Sequence, residues 1–337
     1  MTNNSGRKLN MARAISEAIA QEMRLDENVF CMGEDIRHVA GIWGHTAGLH
    51  EEFGDERIMD TPISETAFIG AGVGAATQGM RPIVELMFAD FFGVCMNSIY
   101  SAAAKTHYMS GGKFNVPMVI NTAVGGSYGD AGQHSQCLYS TFAHLPGLKV
   151  VLPSNAFDAK GMMIAAIRDN NPVVFMLHKN LLGVPFLGDE RRATSMVPRE
   201  LYEVPLDKAK IVREGTDISL ISLGASLYHC LDASADLERE GISAEVLDLR
   251  SIAPLDREAI IATVAKTGRL VAVEDDYKSY GVTAEVIATA VESDISLLRS
   301  APQRVAYPDV SVPFSPPMEK FCLPDKHDIV AAAKRTF

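Results

Sequence analysis

Hydrophobic positions in this chain follow two patterns. From residue 11 onward, apolar side chains recur at steps of three and four residues, at Met11, Ala14, Ile15, Ala18, Ile19 and Met23. This spacing predicts an amphipathic helix, and Asn10 is a suitable N-cap for it. Continuous apolar runs then predict buried strands at Val29–Met32, Ile83–Phe88, Val116–Ala123, Leu148–Leu152 and Val173–Leu177.

Helical patterns at 93–107 and 155–169 lie between these strands. Strands that are apolar throughout and separated by helices are typical of a parallel sheet covered on both faces. The periodicity is lost from Gly183 to Pro205 and returns in a second α/β unit, with strands at Ile218–Leu223, Ala244–Leu249 and Leu270–Glu274 and helices at 226–240, 256–266, 281–294 and 325–335. We therefore predict an α/β protein with two doubly wound domains, 1–185 and 206–337, joined by a linker at 186–205.

The composition agrees with this prediction. The chain has 337 residues, and at about 150 residues per domain this length suits two cores of ordinary size. Hydrophobic residues make up 47% and charged residues 22%, which excludes extensive disorder. The net charge of −11 argues against binding to nucleic acid or to an anionic membrane surface.

The cysteines and histidines give no sign of a metal site. The five cysteines stand singly, without a Cys-x-x-Cys pair, which disfavours a zinc site or a redox dithiol. His45 and His50 are five residues apart and would point to different faces of a helix. The first residues lack the apolar stretch of a secretory signal, and no run of about 18 apolar residues occurs. We expect a protein of the reducing cytoplasm.

One segment, GAGVGA at Gly70–Ala75, formally matches the glycine pattern of a dinucleotide-binding turn. That turn requires a strand directly before the first glycine, whereas the preceding DTPISETAFI reads as a turn followed by a helix. We therefore favour a small-residue helix face at Gly70, Ala71, Gly74 and Ala75, which another backbone can approach closely. A nicotinamide-dependent oxidoreductase is the alternative from a different enzyme class.

A second segment, GDA at Gly129–Ala131 followed by Asn155, nearly matches the Gly-Asp-Gly and asparagine that hold Mg²⁺ on thiamine diphosphate. The third glycine is missing, and the intervening residues contain AGQHSQ and the turn LPG. We expect no diphosphate site here. If the cofactor is thiamine diphosphate, another chain must supply its metal-binding half.

Two side chains are candidates for proton transfer. Glu65 begins an apolar, glycine-rich helix, where it either interacts with the helix dipole or offers a buried carboxyl for proton exchange. His134 lies in a glycine-rich loop after the strand at 116–123, where sites form in open α/β sheets, although a core histidine is the alternative. Phe88 and Phe91 mark a strand end, and either ring packs in the core or stacks on a planar heterocycle.

Ten segments together resemble the β subunit of the thiamine-diphosphate-dependent first component of 2-oxo acid dehydrogenase complexes, including the acetoin dehydrogenase branch. The resemblance extends from about residue 8 to the C-terminus, and the segments are MGED, DTPISE, RPIVELMFADF, SAAAKTHYMSGG, GQHSQ, HLPGLKVVLPSNAFDAKG, AIRDNNPVVF, HKNLLG, LDLRSIAPLD and VPFS. The resemblance implies a pyrimidine-binding domain at 1–185, a transketolase-like C-terminal domain at 206–337 and an α2β2 heterotetramer. It also implies that the α subunit carries the Mg²⁺-diphosphate motif.

The resemblance implies roles for individual residues. Glu65 matches the glutamate that hydrogen-bonds N1′ of the aminopyrimidine, where a proton-sharing carboxyl favours the imino tautomer needed to deprotonate C2 of the thiazolium. Ile63 and Phe91 match the aliphatic and aromatic neighbours of that ring, and His134 matches the histidine near C2 that supports transfer to the lipoyl group. A potassium ion bound largely through main-chain oxygens is also implied, at Met118, Ala166, Ile167, Asp169 and Asn171.

The expected activity is cleavage of acetoin or a 2-oxo acid such as pyruvate, with transfer of the acyl group to a lipoyl group on an acyltransferase core. HKNLLG favours the acetoin branch, whereas SAAAKTHYMSGG also fits the pyruvate branch. A small basic domain of the core is expected to dock on the C-terminal domain, with candidate contacts at Asp275, Asp276, Asp325, Asp328 and the terminal carboxylate of Phe337. A non-catalytic scaffold, in which Glu65 and His134 serve only packing, is the third alternative.

Overall fold

The computed structural model describes residues 7–37, 41–184 and 190–337. The chain forms two compact units, Met1–Val124 with Thr141–Leu206, and Gly125–Ser140 with Asp207–Phe337. The segment 125–140 therefore packs with the second unit. The start of the predicted linker, 186–189, lies outside the described residues.

The first unit is built around a parallel sheet. Its strands are β1 (Arg7–Leu9), β2 (Val29–Gly33), β3 (Ile58–Asp60), β4 (Arg81–Phe88), β5 (Val119–Val124), β6 (Lys149–Val151), β7 (Val173–His178) and β8 (Ser195–Val197). Six of them pair in the order β6-β7-β5-β4-β2-β3, all parallel. Every residue of β2, β5 and β7 is buried, which explains why these strands read as continuous apolar runs.

The helices up to residue 168 are α1 (Met11–Leu25), α2 (Leu49–Phe53), α3 (Glu65–Thr77), α4 (Phe92–Asn97), α5 (Thr106–Met109), α6 (Tyr139–Ala143) and α7 (Ala156–Arg168). The predicted first helix is confirmed: the Asn10 side chain accepts a hydrogen bond from the Arg13 N–H and caps α1. Helix α1 packs its apolar face against α7.

Two regions differ from the sequence predictions. The single helix expected at 93–107 is divided into α4, a π-helical segment at Ser98–Ala103 and α5. Gly147 contacts this region so closely that a Cβ atom there would lie 1.9 Å from the Ala104 carbonyl oxygen, a tertiary contact that local periodicity does not reveal. In the region expected to be a linker, β8 pairs antiparallel with β1.

The second unit contains β9 (Lys210–Arg213), β10 (Ile218–Ser222), β11 (Ala244–Asp248), β12 (Ser251–Ala253), β13 (Leu270–Tyr277) and β14 (Gln303–Tyr307), with helices α8 (Ser226–Arg239), α9 (Arg257–Thr267), α10 (Val282–Ser293), α11 (Pro316–Cys322) and α12 (Lys326–Lys334). Its sheet has the order β14-β13-β10-β11-β9, parallel except for the antiparallel edge strand β9. None of the helices in the described chain has both the length and the apolar composition needed to cross a bilayer.

Candidate functional site

The carboxyl ends of β2 and β4 bring acidic and aromatic residues to one edge of the first sheet. Glu34 directly follows β2, and Phe91 lies just beyond β4. The two strands are parallel neighbours, so their carboxyl ends meet at the same edge. In open α/β sheets this edge is where ligands bind.

Glu65 is the first residue of α3 and has little contact with water. The residue is 9% exposed, and no described residue donates a hydrogen bond to its carboxylate. The N-terminal position is favourable for a negative charge because of the helix dipole. Ile63, two residues earlier, is 84% exposed. The chain therefore offers a buried acceptor beside an uncovered aliphatic side chain.

Glu34 shares the environment of Glu65. Burial raises the pKa of Glu34, and the negative charges of Glu65, Asp35 and Glu85 raise it further. Its Oε1 atom is buried without a hydrogen-bond partner among the described residues. Two neighbouring carboxyls in a site with little water favour the binding of a group that brings a proton or a ring nitrogen.

Phe91 is half-buried and has a fixed orientation. Its ring meets Phe88 edge-on, with centroids 5.3 Å apart, and Phe88 in turn meets Trp43 at 5.1 Å. The indole N–H of Trp43 donates to the Met87 carbonyl oxygen at 3.0 Å, which holds this row of rings in place. A partly accessible, braced ring can stack on a flat heterocycle.

His134 lies in the second unit, within the loop 125–140. The residue is half-buried, and its backbone N–H donates a hydrogen bond to the Ala131 carbonyl oxygen at 3.4 Å. The loop contains three non-glycine residues with positive φ: Ser127 (75°), Ala131 (61°) and Leu138 (52°). Such backbone is costly and persists only where surrounding contacts fix it.

The contacts that fix this loop include a buried carboxylate of α11. Glu319 is 2% exposed, and its Oε1 and Oε2 atoms accept hydrogen bonds from the N–H groups of Ser127 (2.7 Å) and Gly129 (3.0 Å). A carboxylate that accepts two backbone hydrogen bonds holds the loop at two points.

Asp275 and Asp276 also bind the loop from within the second unit. Asp276 accepts a hydrogen bond from the Tyr139 N–H at 2.7 Å, and Asp275 accepts one from the Tyr139 hydroxyl at 2.9 Å. Burial raises the pKa of Asp276 to about 6. The expectation that Asp276 faces a docking partner is wrong, because this residue is 5% exposed; Asp275 is half-buried, and its contact with a partner stays a prediction. By contrast, Asp325 and Asp328 are exposed, and each helps to cap α12.

The five residues implied for potassium binding lie in the first unit, at the start of β5 and the end of α7. The Arg81 guanidinium donates to the carbonyl oxygens of Ile167 (2.9 Å) and Asp169 (3.0 Å), and Lys149 pairs with the Asp169 carboxylate. The Met118 carbonyl oxygen accepts a hydrogen bond from the Val173 N–H at 2.9 Å. Oxygen atoms of this kind attract positive charge, and the carbonyl oxygens of Ile167 and Asp169 already bind the Arg81 guanidinium.

The GAGVGA segment lies inside α3, so it cannot form a dinucleotide-binding turn. This observation removes the basis for the nicotinamide alternative. The glycine in closest contact is Gly72, where a Cβ atom would lie 2.7 Å from Val84 Cγ2, whereas at Gly74 it would meet nothing within 4 Å. Within this chain the contact with β4 is made by Gly72, which the predicted face does not include, and the approach of another backbone to Gly70, Ala71, Gly74 and Ala75 stays a prediction.

Comparisons with known proteins agree with this arrangement. The transketolase pyrimidine-binding domain profile matches residues 7–185, and the transketolase C-terminal domain profile matches residues 207–329. The acetoin:2,6-dichlorophenolindophenol oxidoreductase subunit beta of Cupriavidus necator is 44% identical over 340 residues, with 98% of each chain covered. The chain belongs to the β subunits of the thiamine-diphosphate-dependent dehydrogenases.

Other relatives of this β subunit have different named substrates. The mitochondrial pyruvate dehydrogenase E1 component subunit beta-1 of Arabidopsis thaliana is 43% identical, with 98% of this chain and 89% of that protein covered. The 2-oxoisovalerate dehydrogenase subunit beta of Bacillus subtilis is also 43% identical, with 96% of each covered. A solved split-gene transketolase, described as an inactive β4 tetramer, has the same fold, with a TM-score of 0.77, 21% identity and 98% of each chain covered.

Sequence reasoning missed several residues of the candidate site and of the elements that hold it. Glu34 lies in the MGED segment, and its position just after a buried strand was the available signal. His45 and Glu85 form a buried pair, with Nε2 and Oε2 2.9 Å apart, although they are distant in sequence. Glu319 has no local motif at all, since its partners lie 190 and 192 positions away.

Proposed function

We propose that this β subunit acts with an α subunit as an α2β2 heterotetramer that cleaves acetoin or a 2-oxo acid such as pyruvate and transfers the acyl group to the lipoyl group of an acyltransferase core. The observation that carries the proposal is the buried Glu65 carboxylate, which accepts no hydrogen bond from the described chain. Only 9% of the residue is exposed, so little water reaches this carboxylate, and a ligand nitrogen would supply the donor that the described chain lacks.

The first unit fits the aminopyrimidine half of thiamine diphosphate. Glu65 would hold a proton at the ring nitrogen N1′, with Glu34 close by, while Ile63 and Phe91 pack on the ring and exclude water. When bound, the cofactor supplies the nucleophilic thiazolium carbon that attacks the substrate carbonyl. His134 would hold or release a proton where the lipoyl group meets the substrate.

The metal-binding half of the cofactor site is assigned to the α subunit. Asn155, which would be the Mg²⁺ ligand in a complete motif, accepts a hydrogen bond from the Asp158 N–H and caps α7. Its side-chain amide also donates to the Asp158 carboxylate at 2.7 Å. This asparagine is therefore engaged in helix structure, which supports a split cofactor site.

Cofactor binding tests the split site directly. We expect calorimetry with thiamine diphosphate and Mg²⁺ to show weak binding or none for this chain alone, and binding after addition of an α subunit. Tight, Mg²⁺-dependent binding by the chain alone would contradict the assignment of the metal half to the α subunit.

Glu65→Gln should lower turnover of the assembled enzyme by about 10²–10⁴-fold, because an amide cannot share a proton with N1′. Glu56→Gln, on the exposed surface, serves as the control with the same change of charge. Turnover is measured with an artificial dye as electron acceptor, after assembly has been checked by sedimentation. A well-assembled Glu65→Gln enzyme with normal turnover would leave Glu65 as a helix-dipole residue only.

We favour acetoin as the substrate. The HKNLLG segment contributes Lys179, whose fully buried ammonium lies 5.5 Å from the centre of the Phe88 ring, and Phe88 braces Phe91. The segment that resembles the acetoin branch thus packs behind Phe88 and Phe91, and Phe91 is the ring proposed to contact the cofactor. We expect kcat/KM for acetoin to exceed that for pyruvate. A higher value for pyruvate or for a branched 2-oxo acid would reject this choice while leaving the cofactor site intact.

A potassium ion is proposed at the carbonyl oxygens of Met118, Ala166, Ile167, Asp169 and Asn171. The support is that this corner already attracts cations, since Arg81 and Lys149 both bind there. Hard oxygen ligands suit such an ion. The melting temperature should be higher in KCl than in NaCl of equal ionic strength. Equal melting temperatures would show that Arg81 and Lys149 satisfy these oxygens alone.

We also propose a cytoplasmic location, supported by five cysteines that form no disulfide, four of them buried. Disulfides are rare in reducing compartments.

A further inference from the structure

A cleft of about 530 Å³ lies along α1 in the first unit, separate from the residues discussed above. Four of the side chains that line it are arginines, two are glutamates, and Leu9, Ala20, Ala47 and Leu49 provide apolar surface. The arginines are Arg7, Arg13, Arg24 and Arg199. Its volume is within the range of small-molecule sites.

The positive charges in this cleft exceed the negative ones. Glu52 pairs with Arg24 at 2.5 Å, while Glu17 is shared between Arg7 and the fully buried Lys160, whose ammonium lies 2.8 Å from Glu17 Oε1. Arg13 and Arg199 form no ion pair with any described residue. The lining thus combines four guanidinium groups with two carboxylates in a chain whose net charge is −11, and the fully buried Lys160, outside the lining, shares Glu17.

The cationic groups repel one another. The pKa of Arg7 is lowered by burial and by the charge of Arg199. The pKa of Lys160 is lowered to about 8, first by burial and then by the charge of Arg7, against the opposing effect of Glu200. Arg7 lines the cleft and Lys160 contacts the cleft residue Glu17, so an anion bound among the arginines would relieve this repulsion.

We propose that this cleft binds a small phosphate ester. Guanidinium groups present paired N–H donors that match tetrahedral oxyanions, and the two arginines without ion pairs are free to use them. The described residues that line the cleft include no aromatic ring, so they offer no surface for stacking a nucleobase. The ligand class is therefore a phosphorylated, non-aromatic metabolite rather than a nucleotide. This inference does not depend on the proposed catalytic function.

The test is a titration of the full chain with fructose 1,6-bisphosphate, inorganic phosphate, citrate and ATP at constant ionic strength, followed by thermal shift and calorimetry. We expect the sugar phosphate to raise the melting temperature, inorganic phosphate to do so more weakly, and ATP to gain nothing from its base. Stronger binding of citrate or of ATP than of the sugar phosphate would overturn the ligand class. No shift with any anion would overturn the site.

The double variant Arg13→Gln/Arg199→Gln separates this site from general charge effects. Arg13 and Arg199 form hydrogen bonds with described residues through backbone atoms, such as the Arg13 N–H and the Arg199 carbonyl oxygen, so replacing the side chains preserves those bonds. Lys113→Gln/Lys210→Gln, on exposed positions outside the cleft, removes the same charge. We expect affinity to fall at least tenfold in the arginine variant only. An equal loss in both variants would attribute binding to net charge.

The last measurement tests sugar phosphate binding to the complex with an α subunit. The sugar phosphate should bind the assembled enzyme as well as the free chain. If assembly abolishes binding, a partner protein covers the arginines and the small-molecule proposal is wrong.

Discussion

Glu274 is a fully buried residue of β13, and its carboxylate accepts hydrogen bonds from the start of α10: Val282 N–H (3.0 Å), Thr283 N–H (2.9 Å) and the Thr283 hydroxyl (2.6 Å). These bonds favour the ionised form, yet burial dominates and raises the pKa of Glu274 to about 7. Glu65 is buried in the other unit without such donors. At the scale of single residues, the supply of donors separates a structural carboxylate from one available to a ligand.

The raised pKa of Glu274 makes stability depend on pH. Between about pH 4.5 and pH 7 the folded chain keeps a proton that the unfolded chain has released, so stability falls as pH rises through this window. The full effect is about 3 kcal/mol. Glu274→Gln should flatten the dependence of the urea midpoint on pH from 5 to 8, whereas the exposed Glu292→Gln should not. Parallel curves for the three proteins would show that Glu274 is ionised throughout.

His134→Ala should impair acyl transfer to the lipoyl group more than the earlier cleavage step, because the imidazole is proposed to act where the lipoyl group meets the substrate. The two steps are separated by comparing lipoyl-coupled with dye-coupled activity. His144→Ala, on the exposed surface, is the control. Equal losses in both assays would argue against a specific role of His134 in the transfer.

At the scale of elements, α3 shows how glycine controls helix packing. Phe68, Ile69, Gly72 and Val73 are buried on one side of the helix, and Gly72 lies directly against Val84 of β4. Because Glu65 is the first residue of this helix, the distance between α3 and β4 also determines where the carboxylate lies.

Gly72→Ala should destabilise the chain by about 1–3 kcal/mol, since its methyl group would lie 2.7 Å from Val84 Cγ2 and 3.2 Å from Met118 Cε. Gly74→Ala on the same helix meets nothing within 4 Å and should stabilise the chain by about 0.5–1 kcal/mol through helix propensity. Denaturant unfolding of both variants measures the contrast. Similar stabilities for the two variants would mean that α3 moves away from β4 at little cost.

The sequence predicted the elements whose cause is local. The periodicity of α1, the cap at Asn10 and the buried strands β2, β5 and β7 all follow from neighbouring residues. The division of the helix after residue 92 and the anchoring of the loop 125–140 by Glu319 depend on residues far away in the chain. For the same reason Asp276 was misread as exposed.

At the scale of the whole molecule, negative charge and the C-terminus suggest how a basic partner is held. The Phe337 ring lies 4.1 Å from the Arg269 guanidinium, and Arg269 also donates to the Thr336 carbonyl oxygen at 3.0 Å. The terminus is thus attached to its unit beyond the end of α12, and the exposed acids Asp325 and Asp328 lie at the start of the same helix. A basic acyltransferase domain is proposed to bind there.

Binding of that basic domain should weaken as ionic strength rises, because rim charges act mainly on association. Deletion of Phe337 should weaken it moderately, and removal of Arg335–Phe337 should weaken it further, with assembly and dye-coupled activity unchanged. Surface plasmon resonance at several salt concentrations measures both effects. Unchanged binding by the truncated chains would move the docking surface elsewhere.

The loop 125–140 falls inside the residues matched by the first domain profile but packs with the second unit, where Glu319, Asp275 and Asp276 hold it. His134 therefore belongs to the first domain by sequence but depends on residues of the second unit for its position. A chimera that exchanges the C-terminal half of this protein for a relative's, joined at residue 206, would give the loop foreign anchors. Recombination between relatives should succeed most often when the residues at 125–140 travel with the second domain, or when both parents share the same three carboxylates.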